Sequence, residues 1–169
     1  SKKKFLKNFT IKLDYGSESY LVRGPLRFPE STFQGAESLQ SITIENIPIE
    51  SPPAHIFRGL RSLKELHLDR VLPIANSTLP ESLFKDLESL NELHLSTSST
   101  LSRDTFSNLR TLKKLVIVVQ DLDKWPAGLF EKLSSLIELE ILSFLSVSQI
   151  KREFFVGLNR LEYLTMHPY

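Results

Sequence analysis

The sequence IFRGLRSLKELHL at residues 56–68 and LFKDLESLNELHL at residues 83–95 both follow the pattern F-x-x-L-x-x-L-x-x-L-x-L. Four further copies, with Ala or Ile in place of some leucines, lie at residues 32–44, 105–117, 129–141 and 154–166. Successive phenylalanines of the pattern are 22 to 27 residues apart, the extremes being 106 − 84 and 84 − 57. A pattern of this length at a nearly constant period indicates one structural unit repeated along a solenoid.

Each copy contains the signals of a strand and of a short turn. In L-x-x-L-x-L the last two apolar residues are two positions apart, so they point to the same face of a strand. In F-x-x-L-x-x-L the period is near three, which suits a short helical or 3-10 turn. A single unit cannot bury its apolar face alone, so neighbouring units must stack with their strands side by side. We therefore predict an α/β solenoid, with a parallel β-sheet on the concave face and short helical, 3-10 or irregular segments on the convex face. The predicted inward pairs are Ile42/Ile44, Leu66/Leu68, Leu93/Leu95, Leu115/Ile117, Leu139/Ile141 and Leu164/Met166.

The N-terminal segment is less regular than the six copies. Leu6, Phe9 and Ile11 fit the end of the pattern once more, and residues 20–22 have the composition of a second short strand. We predict a tail and capping segment over residues 1–27, with a hairpin covering the first open edge of the core. Residues 28–169 are predicted to form a single domain of about six repeats.

The C-terminal end of the pattern has no recognisable cap. Only three residues follow Met166, which is too few to cover Leu164. We predict either that the natural chain continues beyond Tyr169 or that this end is buried against another chain, such as a second copy.

The composition narrows the classes of function. The 21 basic and 20 acidic residues give a formal net charge of +1. A net charge this small provides no overall electrostatic attraction for nucleic acid or for a membrane surface. No apolar run approaches the roughly 18 residues that span a bilayer. The absence of cysteine excludes disulfides and thiolate chemistry and leaves the compartment open. Two N-x-[ST] sequons, at Asn8 and Asn76, favour a secreted glycoprotein.

The copies at residues 56–68 and 83–95 resemble the extracellular animal leucine-rich repeats of Toll-type receptors and secreted arthropod proteins. The resemblance extends over residues 28–169 and implies a non-enzymatic module that recognises a protein in an extracellular setting such as innate immunity. Such repeats identify a fold better than a function. This chain departs from the family in having no disulfide-bonded caps. It also lacks the asparagine that the family places three residues after the last inward strand residue. The residues at those places are Ile47, Val71, Ser98, Gln120, Phe144 and Tyr169.

The outward strand residues provide the candidate binding surface. The predicted central column is Thr43, His67, His94, Val116, Glu140 and Thr165. A polar group beside it contains His67 and His94 with Glu65, Glu92 and Asp69. It would bind a metal, act as a pH-sensitive contact, or form an ordinary solvated face. An apolar group contains Val116, Val118, Val119, Leu142 and Phe144, and it would mark a contact site if exposed.

The leading hypothesis is a protein-binding module that uses this concave face. The predicted partner-binding residues are Glu65, His67, Asp69, Glu92, His94, Val116, Val118, Glu140 and Leu142. No catalytic residue, metal ligand, cofactor, nucleic-acid partner or membrane insertion is assigned, and the motifs G-x-S-x-G and H-E-x-x-H are absent. Two alternatives remain open, a self-assembling extracellular repeat protein and an intracellular adaptor. Trp125 is predicted to fill a position in the core or in a groove on the convex side.

Overall fold

The computed structural model of the chain describes residues 5–12, 27–47, 52–69, 79–120, 122–143 and 151–168. Within these ranges, seven strands form one sheet, in which the order along the chain is also the order in space and every pairing is parallel. The strands are β1 (Asn8–Lys12), β2 (Ser41–Glu45), β3 (Glu65–Asp69), β4 (Glu92–Thr97), β5 (Lys114–Val119), β6 (Glu138–Ser143) and β7 (Tyr163–Pro168). Two 3-10 helices, Leu122–Lys124 and Arg152–Phe155, lie between strands, and the ranges above contain no α-helix. The predicted parallel-sheet solenoid is confirmed.

Burial alternates along the strands as the pattern predicts. Five of the six predicted inward pairs are buried, from Ile42 and Ile44 on β2 to Leu139 and Ile141 on β6. The last pair differs, because among the described residues β7 has a neighbouring strand on one side only. Leu164 is 45% exposed, while Met166 packs partly against the core.

The convex segments are tight turns that follow the three-residue period of the sequence. In the second copy, the backbone N–H of Leu60 donates to the carbonyl of Phe57 at 3.2 Å, and that of Leu63 donates to Leu60 at 3.1 Å. Bonds of this i to i+3 type give about three residues per turn, so every third side chain faces the same way. Phe57, Leu60 and Leu63 are all buried as a result.

One carbonyl before each strand links neighbouring repeats. The carbonyl of Gln40 accepts bonds from the N–H groups of Lys64 and Glu65, at 2.8 and 3.0 Å. The same double acceptance recurs one repeat later, where Lys64 accepts from Asn91 and Glu92, and continues to β7. These bonds fix the axial position of each repeat against the next.

The places of the missing asparagine are filled in different ways. Ile47 is buried in the core with 4% of its surface exposed. After β4 the hydroxyl of Thr97, one residue before Ser98, accepts the backbone N–H of Ser99 at 3.0 Å. The hydroxyl of Ser143 donates to the carbonyl of Gln120 at 3.5 Å. Strand-end hydroxyls therefore bond backbone groups of these turns, while Val71, Phe144 and Tyr169 lie outside the described residues.

The phenylalanines of the pattern form the centre of the core. Phe84, Phe106 and Phe130 are at most 1% exposed, as predicted, and their rings stack in sequence with centroids 6.1 and 6.0 Å apart. In the last copy Phe154 is the buried residue, while Phe155 is only partly buried. Trp125 is buried as predicted and packs edge-on against Phe130 and Phe154.

Strand β1 extends the sheet by one strand beyond the six pattern copies. Phe9 and Ile11 pack against the core, and the ring of Phe9 lies edge-on to Phe33 at 5.2 Å. Residues 13–26, which include the predicted second strand of the cap, lie outside the described residues. Among the helices that are described, none has the length and apolar character needed to cross a membrane.

Candidate functional site on the concave face

The concave face is the solvent-facing side of β2–β7. The strand register aligns the predicted central column residue by residue, as Thr43, His67, His94, Val116, Glu140 and Thr165. Every member except Thr165 is partly buried by its neighbours. Adjacent strands lie about 4.8 Å apart, so side chains in one column contact one another. The predicted column is confirmed.

A depression with a volume of about 360 Å³ lies in the middle of this face. It contains seven of the nine predicted partner-binding residues, with Glu65 and Glu92 outside its lining. The lining is Glu45, His67, Asp69, His94, Leu95, Ser96, Val116, Val118, Glu140 and Leu142. Glu45 and Ser96 were not among the predicted partner-binding residues, although both lie in the flanking column that also contains Asp69 and Val118. Their position in this column was the feature of the sequence that indicated their place on the concave face.

The two histidines and one glutamate form a compact group, which we name the histidine cluster: His67, His94 and Glu92. The imidazole rings of His67 and His94 stack with centroids 4.1 Å apart and planes inclined by 12°. The Nε2 of His94 lies 2.7 Å from Oε1 of Glu92. Glu92 lies two residues before His94 on β4 and so points to the same face.

The pKa of His67 is lowered by burial and by His94 and raised by the neighbouring carboxylates. Partial burial lowers the pKa of His67 below its usual 6.5, and the neighbouring His94 lowers it further. The carboxylates of Glu92, Glu65 and Glu45 act against this shift without cancelling it. The folded protein therefore favours the neutral imidazole at this position.

This shift predicts a loss of stability on acidification. Because the pKa of His67 is lower in the folded state, the unfolded chain binds more protons as pH falls through about 6.5, and the free energy of unfolding decreases. Urea denaturation in the presence of a chelator, between about pH 7.5 and 5, measures the effect. His67→Gln is expected to flatten the dependence, and His55→Gln, at an exposed position, is the control. Parallel curves for the wild type and His67→Gln would contradict the prediction.

The apolar group is smaller than predicted. Val116, Val118 and Leu142 are partly buried on the concave face and line the depression. The expectation of an exposed Val119 is wrong, because this residue continues the inward alternation of Leu115 and Ile117 and is 4% exposed. Phe144 lies outside the described residues.

Acidic side chains outnumber basic ones on this face. The six acidic residues at outward positions of β2–β6 are Glu45, Glu65, Asp69, Glu92, Glu138 and Glu140. The one lysine among those positions, Lys114, bonds Oε1 of Glu138 at 3.0 Å. This bond raises the pKa of Lys114. With neutral histidines, the described outward positions of these five strands carry an acidic excess of five (6 − 1).

The two predicted glycosylation positions differ in what the structure shows. Asn8 is exposed at the start of β1, in register with Ser41 of β2. Asn76 lies outside the described residues.

Solved structures with a similar fold include chains of two complexes, Toll–Spätzle and TLR13–ssRNA13. A chain of the Toll–Spätzle complex of Drosophila, in its glycosylated form, superimposes with a TM-score of 0.68 at 23% identity, over 82% of this chain and 20% of that one. A second structure of that complex superimposes with a TM-score of 0.65 at 20% identity, over 83% of this chain and 18% of that one. A chain of the TLR13–ssRNA13 complex superimposes with a TM-score of 0.54 at 24% identity, over 84% of this chain and 23% of that one. This chain thus spans about a fifth of the length of each solved chain.

The sequence comparisons identify the family. A search of curated protein sequences finds no match. The family described as BspA type leucine rich repeat region, with six copies, matches residues 69–168, which is more than half of the chain. With its repeated pattern and its parallel sheet, the chain belongs to the BspA-type leucine-rich-repeat family.

Proposed function

We propose that this chain is a non-enzymatic recognition module that binds a protein partner through its concave face. The observation that carries the proposal is the depression of about 360 Å³, where Val116, Val118 and Leu142 lie beside acidic side chains. Partly buried apolar residues within a polar surround are typical of protein contact sites. A partner would place an apolar side chain against the valines and basic side chains against the carboxylates.

The charge of the face favours protein over nucleic acid. The related folds include a complex of Toll with Spätzle and one of TLR13 with ssRNA13. Nucleic-acid surfaces need lysine and arginine to neutralise phosphates. Here the one lysine on β2–β6 is paired with Glu138, and the acidic excess repels phosphate. A basic protein surface fits this face better.

We propose a secreted or cell-surface setting, in innate immunity as the Toll-like fold suggests. The exposed sequon residue Asn8 is accessible to glycosylation, and Asn76 is the second proposed position. Glycans on the native protein, detected by mass spectrometry, would separate this setting from that of an intracellular adaptor. The self-assembling alternative would bury Leu164, which is 45% exposed in this structure. Light scattering of the wild type and Leu164→Lys across a wide concentration range separates that alternative.

Charge reversal on the concave face tests the binding proposal. We expect Asp69→Lys combined with Glu140→Lys to weaken retention of the partner by about tenfold or more, because like charges would then face each other. The immobilised chain captures proteins from extracellular fluid of its source, and retention of each captured protein is compared between variants.

The matched control makes the same charge change on the convex turns. Glu37→Lys combined with Glu88→Lys alters two exposed acidic residues there and should leave retention unchanged. A labelled single-stranded RNA is expected not to bind at about 0.15 M salt. The proposal is wrong if both double variants affect every captured protein equally, or if the RNA binds and the proteins do not.

A further inference from the structure

The ligand atoms of the histidine cluster already lie close together. One nitrogen each from His67 and His94 and one carboxylate oxygen from Glu92 all lie within 4.8 Å of one another. All three residues are partly buried, so part of their hydration is already removed. Two imidazole nitrogens and a carboxylate oxygen are ligands that Zn²⁺ and neighbouring transition metals prefer, whereas Ca²⁺ and Mg²⁺ prefer oxygen alone. We propose that the histidine cluster binds a single Zn²⁺ ion.

The repeat architecture explains why these atoms meet. His67 and His94 are directly opposite each other on the parallel strands β3 and β4. Both strands belong to the sheet that the carbonyls of Gln40 and Lys64 hold in axial position. The sheet thus brings the three side chains together before any metal binds, and the two imidazole planes, inclined by only 12° in this structure, turn toward each other so that both nitrogens face one ion.

The surroundings favour a cation and leave it accessible. Glu65 on the same strand as His67, and Asp69 two residues beyond it, add negative charge to the same face. His67 and His94 also line the depression, which is open to solvent. Three protein ligands leave at least one position of a tetrahedral Zn²⁺ for water or for a side chain of another molecule. The proposal does not depend on the identity of any protein partner.

Titration of the metal-stripped, tag-free chain with ZnCl₂ by isothermal calorimetry tests the site. We expect one saturable site with a dissociation constant below about 100 μM. His67→Gln combined with His94→Gln should weaken binding at least about tenfold, since it removes both nitrogen ligands. Both side chains lie on the sheet surface, so the fold should tolerate the change, and melting without metal verifies this.

Two matched controls separate ligation from charge and from histidine content. His55→Gln combined with His167→Gln removes the same number of histidines, including the one that lies 3.3 Å from Glu140, and should leave the affinity within about twofold. Glu65→Gln and Glu92→Gln remove the same charge from the same face, but only Glu92 belongs to the cluster. We expect the greater loss for Glu92→Gln.

A second measurement follows the imidazoles directly. Nitrogen chemical shifts of His67 and His94 should change with Zn²⁺ up to one equivalent, while those of His55 should not. The proposal is overturned if binding is weaker than about 100 μM or does not saturate. It is also overturned if the control pair weakens binding as much as the His67/His94 pair, or if the shifts of His67 and His94 do not move.

Discussion

Phe106→Ala is expected to lower the free energy of unfolding by about 3–5 kcal/mol. Phe106 is 1% exposed, and its ring lies between those of Phe84 and Phe130, at 6.1 and 6.0 Å. The substitution removes both ring contacts and leaves a cavity that the flanking repeats cannot close, because the inter-repeat backbone hydrogen bonds fix their spacing. Urea denaturation followed by circular dichroism measures the loss.

Phe155→Ala is the matched comparison, since Phe155 occupies the same place in the last copy but is only partly buried. Phe155→Ala should lower the free energy of unfolding by no more than about 2 kcal/mol. Phe33 should behave as an interior residue, because Phe9 and Phe57 flank it on both sides. Equal, small effects at Phe33, Phe106 and Phe155 would contradict the stacked core.

Gly157→Ala is expected to destabilise the last repeat by about 3 kcal/mol or more, from a left-handed backbone cost and steric overlap together. Gly157 has a φ of +91°, and a Cβ there would lie 2.3 Å from the carbonyl oxygen of Glu131 and 2.6 Å from its Cα. Both contacts are with backbone of the preceding repeat, so relief requires the two repeats to separate. Hydrogen exchange of β6 and β7, together with urea denaturation, should show the loss there first.

Gly35→Ala isolates the backbone part of that effect, so the difference between the two variants gives the steric part. Gly35 has a similar φ of +79°, but no atom lies within 4 Å of a Cβ added there. Only the backbone cost of about 1–2 kcal/mol is expected. Equal losses for Gly35→Ala and Gly157→Ala would mean that the close approach to Glu131 does not constrain the repeats.

Local periodicity was sufficient to predict the strands and the faces of their residues. In LKELHL the two-residue spacing of Leu66 and Leu68 places His67 on the opposite side, and the structure confirms this. Equal spacing in each copy also predicted that His67 would lie opposite His94. The same alternation places Val119 on the core side, where the structure buries it. The sequence was therefore sufficient to predict its burial, and the prediction that it is exposed was mistaken.

Contacts between repeats could not be predicted in this way, because they depend on the distance and rotation between units. The period of the pattern fixes neither quantity. The close approach of Gly157 to Glu131, the stacking of the two imidazoles at 4.1 Å and the depth of the depression all arise from that packing. Likewise, Phe154 is more buried than Phe155 in the last copy, although the pattern aligns Phe155 with the core. The pattern thus determines which side each residue faces, and only the stacking of the repeats sets which side chains meet, because the energy of a contact falls steeply over a fraction of an ångström.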